Sequence, residues 1–193
     1  MYSIKENKKN ELIIKKSKFI TYIYHIHKKE DINNILDTLK SKYKDATHCC
    51  YAYIYENEMK ASDDNEPSKT AGTPILEVLK KNKLNYVLCV VIRYFGGIKL
   101  GAGGLIRAYS SSCKEVLINN IIELEDGYLI EIKTDYTNQK KLEYLIPSTH
   151  ILKKEYNEKI QVLTQANQSI LDKLDTNHIP YTIKDKIKIE KSS

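Results

Sequence analysis

The chain has 193 residues, 41% of them hydrophobic, which is enough to bury the core of one large or two small domains. It contains no apolar run as long as a membrane span and no N-terminal stretch of the signal-peptide kind, so we expect a cytoplasmic protein without membrane contact. Its net charge of +6 lies mostly in residues 1–45, which hold 11 Lys/Arg against 6 Asp/Glu, an excess that either steers the protein towards RNA or reflects composition alone.

The first elements that the pattern predicts are strands and one helix. Residues 11–27 alternate as one or two strands with a bend at residues 15–17, and residues 29–43 carry apolar side chains at helical spacing. Residues 48–55 alternate again, with three tyrosines on one face, Tyr51, Tyr53 and Tyr55. These rings either stack nucleic-acid bases or lie on a sheet face that a helix covers, and the second arrangement suits half-buried tyrosines better.

A polar segment over residues 56–73 carries three acidic side chains, Asp63, Asp64 and Glu66. Carboxylates this close can bind a hard cation, although the EF-hand spacing is absent. They can also accept hydrogen bonds from backbone N–H groups in turns, or pair with an arginine. Thr73 followed by Pro74 predicts the N-terminus of a helix over residues 74–81.

A glycine-rich loop follows an apolar strand predicted over residues 86–94. Five of the seven glycines lie between Gly96 and Gly104, directly before a helix predicted over residues 105–119. Such a loop at a helix N-terminus either binds an anion such as phosphate or serves only tight turns and close packing, and it has neither a Walker nor a G-x-G-x-x-G frame. The residues that we expect to contact phosphate are Arg93, Gly96, Gly97, Lys99, Gly101, Gly103, Gly104 and Arg107.

The last third of the chain has a different pattern. Its strands and helices are predicted in the order β-α-β-β-α-β, which is the order of a ferredoxin-like domain. A short polar break at residues 125–127 precedes it. We therefore predict an α+β protein of two domains, residues 1–125 and residues 126–193.

Three segments together resemble the signature of the IMPACT/YigZ family. They are H-C-C-Y-A-Y at residues 48–53, S-D-D-N-E-P-S-K-T-A-G-T-P-I-L at residues 62–76, and V-V-I-R-Y-F-G-G-I-K-L-G-A-G-G-L-I-R-A-Y at residues 90–109. The resemblance covers roughly residues 15–120. Two positions depart from the family pattern, because Asn65 and Lys69 stand where the family usually has glycine.

This resemblance implies a fold for each domain and a setting for their work. The N-terminal domain is expected to share the α/β fold of a small-subunit ribosomal protein's second domain, of domain IV of elongation factor G and of the GHMP kinases. The C-terminal domain is expected to be similar to domain V of that elongation factor. Eukaryotic family members regulate translation by binding a large activator protein of a starvation-responsive kinase, so the resemblance implies a partner in translation.

Two hypotheses of function follow. In the first, the chain is a non-enzymatic module without cofactor or metal, which binds RNA, the ribosome or a translation-regulatory protein through the glycine-rich loop, while Asp63, Asp64 and Glu66 shape the site. In the second, the same acidic residues hold a cation for a metal-assisted reaction on a phosphate or an ester. His48 is then the nearest acid–base candidate.

Overall fold

The computed structural model describes residues 1–191, and the chain falls into two units, Met1–Glu123 and a second that begins at Leu124. The strands of the first unit are β1 (Tyr2–Ile4), β2 (Lys8–Ile14), β3 (Ser17–His25), β4 (His48–Tyr55), β5 (Glu58–Ser62) and β6 (Val87–Tyr94). Its helices are α1 (Lys29–Lys42), α2 (Gly72–Lys81) and α3 (Ala102–Glu115). The next strand, β7 (Ile121–Thr134), begins in this unit, where its first residues pair with β1.

The first unit is built on a five-stranded antiparallel sheet with the order β2-β3-β6-β4-β5. β6 is the central strand, and residues 87–93 are buried on both faces, which explains its continuous apolar sequence. One face packs against α2 and α3, and the other packs against α1 through Ile32, Leu36 and Leu39. The sheet therefore lies between two helical layers.

The tyrosine face of β4 lies in the layer that contains α1. Tyr53 is buried there, and Tyr51 and Tyr55 are half-buried against the same cluster. The hydroxyl group of Tyr53 donates a hydrogen bond to Glu58. The interpretation of a helix-covered sheet face is confirmed, and the buried ring of Tyr53 is not available for base stacking.

The polar segment before α2 contains more structure than the sequence predicts. β5 forms a hairpin with β4, and α2 begins at Gly72 instead of Pro74. The reason for the earlier start is Asp63, whose Oδ1 accepts hydrogen bonds from the N–H groups of Ala71 at 3.0 Å and Gly72 at 2.8 Å. A carboxylate eight and nine residues earlier in the chain thus caps the helix, and Thr73 does not.

The second unit has the order β-α-β-β-α-β that the sequence predicts. After the main part of β7 come α4 (Gln139–Leu145), β8 (Ile151–Tyr156), β9 (Ile160–Ala166), α5 (Gln168–Thr176) and β10 (Tyr181–Glu190). The sheet order is β10-β7-β9-β8, and all pairs are antiparallel. Apolar residues of β7 and β9 pack against α4 and α5. This is the ferredoxin-like arrangement, so the α+β fold class is confirmed.

Candidate anion site at the glycine-rich loop

A buried ion pair joins the central strand to the acidic segment. The Nη1 atom of Arg93 on β6 donates to the Oε1 atom of Glu66 at 2.6 Å, and both side chains are at most 5% exposed. The Nη2 atom of Arg93 donates to the hydroxyl oxygen of Ser17 at 3.2 Å. Tyr109 on α3 donates its hydroxyl hydrogen to the same Glu66 oxygen at 2.7 Å. One carboxylate therefore ties together β6, the acidic segment and α3.

Arg93 lies between two aromatic rings. Its guanidinium carbon is 5.5 Å from the ring centroid of Phe19 and 5.6 Å from that of Phe95, which is within cation–π range. Its Nε atom is buried and has no hydrogen-bond partner among residues 1–191. Arg93 is thus oriented by four neighbours, and its buried Nε donor is unused within that range.

The hydroxyl group of Tyr109 stays protonated at any physiological pH. Burial is the main cause, since it raises the pKa of Tyr109 far above its usual range, and the neighbouring Cys50 and Glu66 raise it further. Burial likewise raises the pKa of the Cys50 thiol, which donates to the carbonyl oxygen of Asp63 at 2.9 Å. Both groups act here as neutral hydrogen-bond donors.

The remaining two acidic side chains are occupied by the backbone. Asp63 accepts from the N–H of Lys69 at 2.8 Å in addition to its two bonds at the start of α2. Asp64 accepts from the N–H of Cys49 at 2.6 Å. The Nδ1 atom of His48 is 2.8 Å from the carbonyl oxygen of Asp64, and its Nε2 atom is 3.8 Å from Glu66.

The acidic segment is therefore held together by turn-type hydrogen bonds and one arginine pair, which is the structural role considered for it. Over residues 1–191, no three His, Cys, Asp or Glu side chains are grouped so as to hold a metal ion.

The glycines of the loop have different tasks. Gly97 and Gly101 adopt positive φ angles of 83° and 71°, which other residues rarely adopt, and both face open space. Gly96 allows close packing, because a Cβ atom there would overlap the backbone of Lys16 and Ser17. Gly103 and Gly104 lie in the first turn of α3, which starts three residues earlier than predicted.

The N-terminus of α3 opens beside a cavity of about 360 Å³. Gly101 is the N-cap residue and has no side chain to accept a hydrogen bond, and within the described part of the chain no side chain accepts from the first-turn N–H groups. These N–H groups and the helix dipole leave partial positive charge at the site. The cavity is lined by Glu66, Pro67, Arg93, Phe95, Lys99, Leu100, Gly101, Ala102 and Leu105.

The structure brings together part of the predicted site. Arg93, Lys99 and Gly101 line the cavity, and Glu66 forms one of its walls. Arg107 is exposed on α3, and its Nη1 atom lies next to Gly103 rather than in the cavity wall.

Three residues that contact Arg93 or Glu66 at this site were not predicted from the sequence: Ser17, Phe95 and Tyr109. Tyr109 and Phe95 lie inside the motif at residues 90–109, so their place there was the available signal. Ser17 is 76 residues from Arg93 in the chain and carried no signal.

Two bacterial proteins that are similar in sequence to this chain are both described as IMPACT family members. The chain is 40% identical over 173 residues to the IMPACT family member YvyE of Bacillus subtilis, covering 86% of this chain and 80% of that protein. It is 37% identical over 109 residues to YigZ of Escherichia coli, covering 54% of this chain and 53% of that protein.

A crystal structure described as that of a hypothetical protein shares the fold. Its TM-score is 0.60 at 24% identity, and the match covers 94% of this chain and 95% of that one. The family model of the Impact N-terminal domain matches residues 15–117. On this match and on the similarity to YvyE, the chain belongs to the IMPACT family.

Proposed function

We propose that this chain is a non-enzymatic binding module of the translation apparatus, which takes a phosphate group of RNA at the N-terminus of α3. The observation that carries the proposal is that this helix N-terminus has no side-chain cap and opens beside a cavity lined by Lys99 and Arg93. Unpaired N–H groups, the helix dipole and an ammonium group are together the usual means of binding phosphate.

The charges around the cavity assign different roles to the basic residues. The charge of Arg93 is balanced by Glu66 and its guanidinium group is buried, so it shapes the wall of the cavity, and its Nε hydrogen has no acceptor among the described residues. Lys99 is exposed at the rim and supplies the mobile positive charge. Arg107 is exposed on the same helix, where it can contact the next phosphate of a chain. Contacts of this kind position a backbone without selecting a sequence.

The link to translation rests on family membership. The resemblance implies a role in translation for the family. Among the partners in translation, RNA is the one whose phosphate groups suit this site. A translation-regulatory protein, bound directly, is the other partner class that the family resemblance implies. The two differ in salt dependence, because phosphate contacts weaken steeply with added salt whereas apolar protein contacts do not.

The experiment is a fluorescence anisotropy titration of labelled single-stranded RNA, duplex RNA and isolated ribosomes at several salt concentrations. The variants are Lys99→Gln and Arg107→Ala, and the matched control is Lys114→Gln, an exposed lysine in the last turn of the same helix. We expect each of the first two variants to weaken binding and to flatten the salt slope by about 0.7–0.9, with no change in Lys114→Gln. Equal binding by all four proteins contradicts the proposal.

The enzymatic alternative requires a divalent cation at the acidic segment. Calorimetric titration of the protein with Mg²⁺ and Mn²⁺, with Asp64→Asn as the comparison, separates the two hypotheses. If the chain is a binding module, we expect no heat of metal binding from either protein. Tight binding that Asp64→Asn abolishes favours the enzyme.

A further inference from the structure

A second aromatic and basic surface lies on the face of the first sheet that packs against α1. Tyr22 and Tyr24 on β3 stack in parallel, with ring centroids 5.9 Å apart and planes inclined by 10°. The hydroxyl group of Tyr43, directly after α1, is 2.6 Å from that of Tyr22. All three tyrosine residues are half-buried rather than fully covered. They form a platform at the edge of the layer that α1 occupies.

Lysine side chains converge on this platform. The ammonium groups of Lys9 and Lys42 are 5.8 Å and 5.9 Å from the ring centroid of Tyr22. Lys9 and Lys18 share one carboxylate, that of Glu11, at 2.9 Å and 2.8 Å. Lys42 has no carboxylate partner within residues 1–191. We call this surface the tyrosine–lysine patch, and its residues are Lys9, Lys18, Tyr22, Tyr24, Lys42 and Tyr43.

The patch is not covered by the helical layer at its outer side. β2 is the edge strand, and its side chains on this face, Lys9, Glu11 and Ile13, are exposed. Its alternate side chains, Leu12 and Ile14, pack into the core on the opposite face with α2 and α3. The patch and the glycine-rich loop therefore use different faces of the sheet.

Most of the net charge of the protein lies in the N-terminal part of the chain, which includes the elements that build the patch. Residues 1–45 contain 11 Lys/Arg against 6 Asp/Glu, a net charge of 5 out of the total of 6. Within these residues, β2, β3 and α1 themselves hold 6 Lys against 4 Asp/Glu, a net charge of +2. Lys9, Lys18 and Lys42 outnumber the single carboxylate of Glu11 in this patch, which favours an acidic partner on this face.

We propose that the tyrosine–lysine patch binds single-stranded RNA, with bases stacked on the Tyr22 and Tyr24 rings and backbone phosphates contacted by Lys9, Lys18 and Lys42. Aromatic faces interleaved with lysines are the means by which proteins bind single strands without sequence preference. A duplex keeps its bases stacked internally and offers no base to the rings. The patch therefore selects single strands over duplexes, which the phosphate site at α3 does not.

The test uses full-length protein and fluorescein-labelled oligouridine, with a duplex of equal length as the comparison, over a range of salt concentrations. The charge variant is Lys9→Gln/Lys42→Gln, and the ring variant is Tyr22→Leu/Tyr24→Leu, with Tyr22→Phe as its ring-retaining control. Lys80→Gln/Lys114→Gln, on exposed positions of α2 and α3, is the matched charge control. Circular dichroism checks that each variant is folded.

We expect the charge variant to reduce the salt slope by about 1.4, which is about 0.7 for each lost phosphate contact of a single strand. We expect the ring variant to weaken binding to oligouridine about tenfold or more at an unchanged slope, while Tyr22→Phe and the matched control bind normally. A preference of the wild-type protein for oligouridine over the duplex is also expected.

Lys99→Gln makes the two RNA sites distinguishable. Loss of binding in the patch variants supports the patch whether or not Lys99→Gln has an effect. Loss in Lys99→Gln alone overturns the patch and leaves the phosphate site at α3 in place. If oligouridine does not bind at any salt concentration, the RNA-binding role of the patch is also wrong. An acidic protein is then the partner to test on this face.

Discussion

The guanidinium group of Arg93 and the carboxylate of Glu66 form a buried ion pair with an Nη1–Oε1 distance of 2.6 Å. This pair connects the central strand to the acidic segment, and Tyr109 adds a bond from α3 to the same carboxylate oxygen. The wall of the proposed phosphate site is thereby fixed before any ligand arrives. A preorganised wall lowers the entropic cost of binding.

Arg93→Ala is expected to destabilise the protein by about 3–5 kcal/mol, because it leaves the charge of Glu66 buried without a partner. Urea unfolding followed by circular dichroism measures this loss. Arg93→Met/Glu66→Leu removes both charges and is expected to lose less than Arg93→Ala alone. A double variant that is less stable than the single one contradicts this explanation of the pair.

Asp63→Ala is expected to cost about 2–4 kcal/mol in the free energy of unfolding, because three backbone N–H groups lose a charged acceptor. Asp63→Asn keeps one carbonyl oxygen and is expected to lose less. Thermal unfolding of both variants beside Ser68→Ala, an exposed residue of the same segment, provides the comparison. If Asp63→Ala unfolds at the temperature of Ser68→Ala, the capping role of Asp63 is wrong.

Lys69→Gly is expected to stabilise the protein by about 1 kcal/mol. Lys69 has a φ angle of 63°, a left-handed conformation that glycine adopts without the strain of a Cβ atom. The backbone N–H that donates to Asp63 is retained. As a control of opposite sign, Lys80→Gly in α2 is expected to destabilise by about 0.5–1 kcal/mol, since glycine is unfavourable in a helix. Chemical denaturation of both variants measures these changes. If Lys69→Gly is less stable than the wild-type protein, the φ angle of Lys69 is not a source of strain.

The stability of the protein is expected to fall as the pH drops from about 6.5 to about 4. Burial, with a contribution from the neighbouring His27, lowers the pKa of His25 to about 4 in the folded protein. The unfolded chain therefore binds the proton more readily, so the stabilisation is complete above pH 6.5 and is lost as the pH falls.

His25→Phe keeps a ring at this position but cannot be protonated. Over this pH range the wild-type protein should lose about 1–2 kcal/mol more than His25→Phe, a magnitude that allows for the partial exposure of His25. Urea titrations at a series of pH values measure the difference. If the free energy of unfolding changes with pH in the same way in both proteins, His25 is not the cause of the pH dependence.

Much of the fold follows from local sequence patterns. The periodicity of α1, the alternation of β4 and the order of elements in the second unit are local properties, and the sequence predicts them. β5 was missed because Glu58–Ser62 is polar and lacks β-branched and aromatic residues. The start of α2 was misplaced because its cap, Asp63, comes from a turn outside the usual capping window.

The candidate site was only partly predictable for a related reason. The glycines of the loop and the basic residues near it are clustered in the sequence, so the sequence predicts where the candidate site lies. The bonds from Ser17 and Tyr109, which cross 76 and 43 residues, depend on how the sheet and α3 pack. Burial of Arg93 also depends on the strand order, and the sequence therefore indicated a phosphate contact where the structure has an ion pair.

Phosphate binding at the N-terminus of α3 is best tested by a ¹H–¹⁵N NMR titration of the protein with inorganic phosphate, in which the backbone amide signals of Gly101, Ala102, Gly103 and Gly104 are followed. We expect saturable shifts of these signals, weaker in Lys99→Gln and unchanged in Lys114→Gln. If these amide signals do not move while the protein still binds RNA, phosphate does not bind at the N-terminus of α3 and the proposed binding site is wrong.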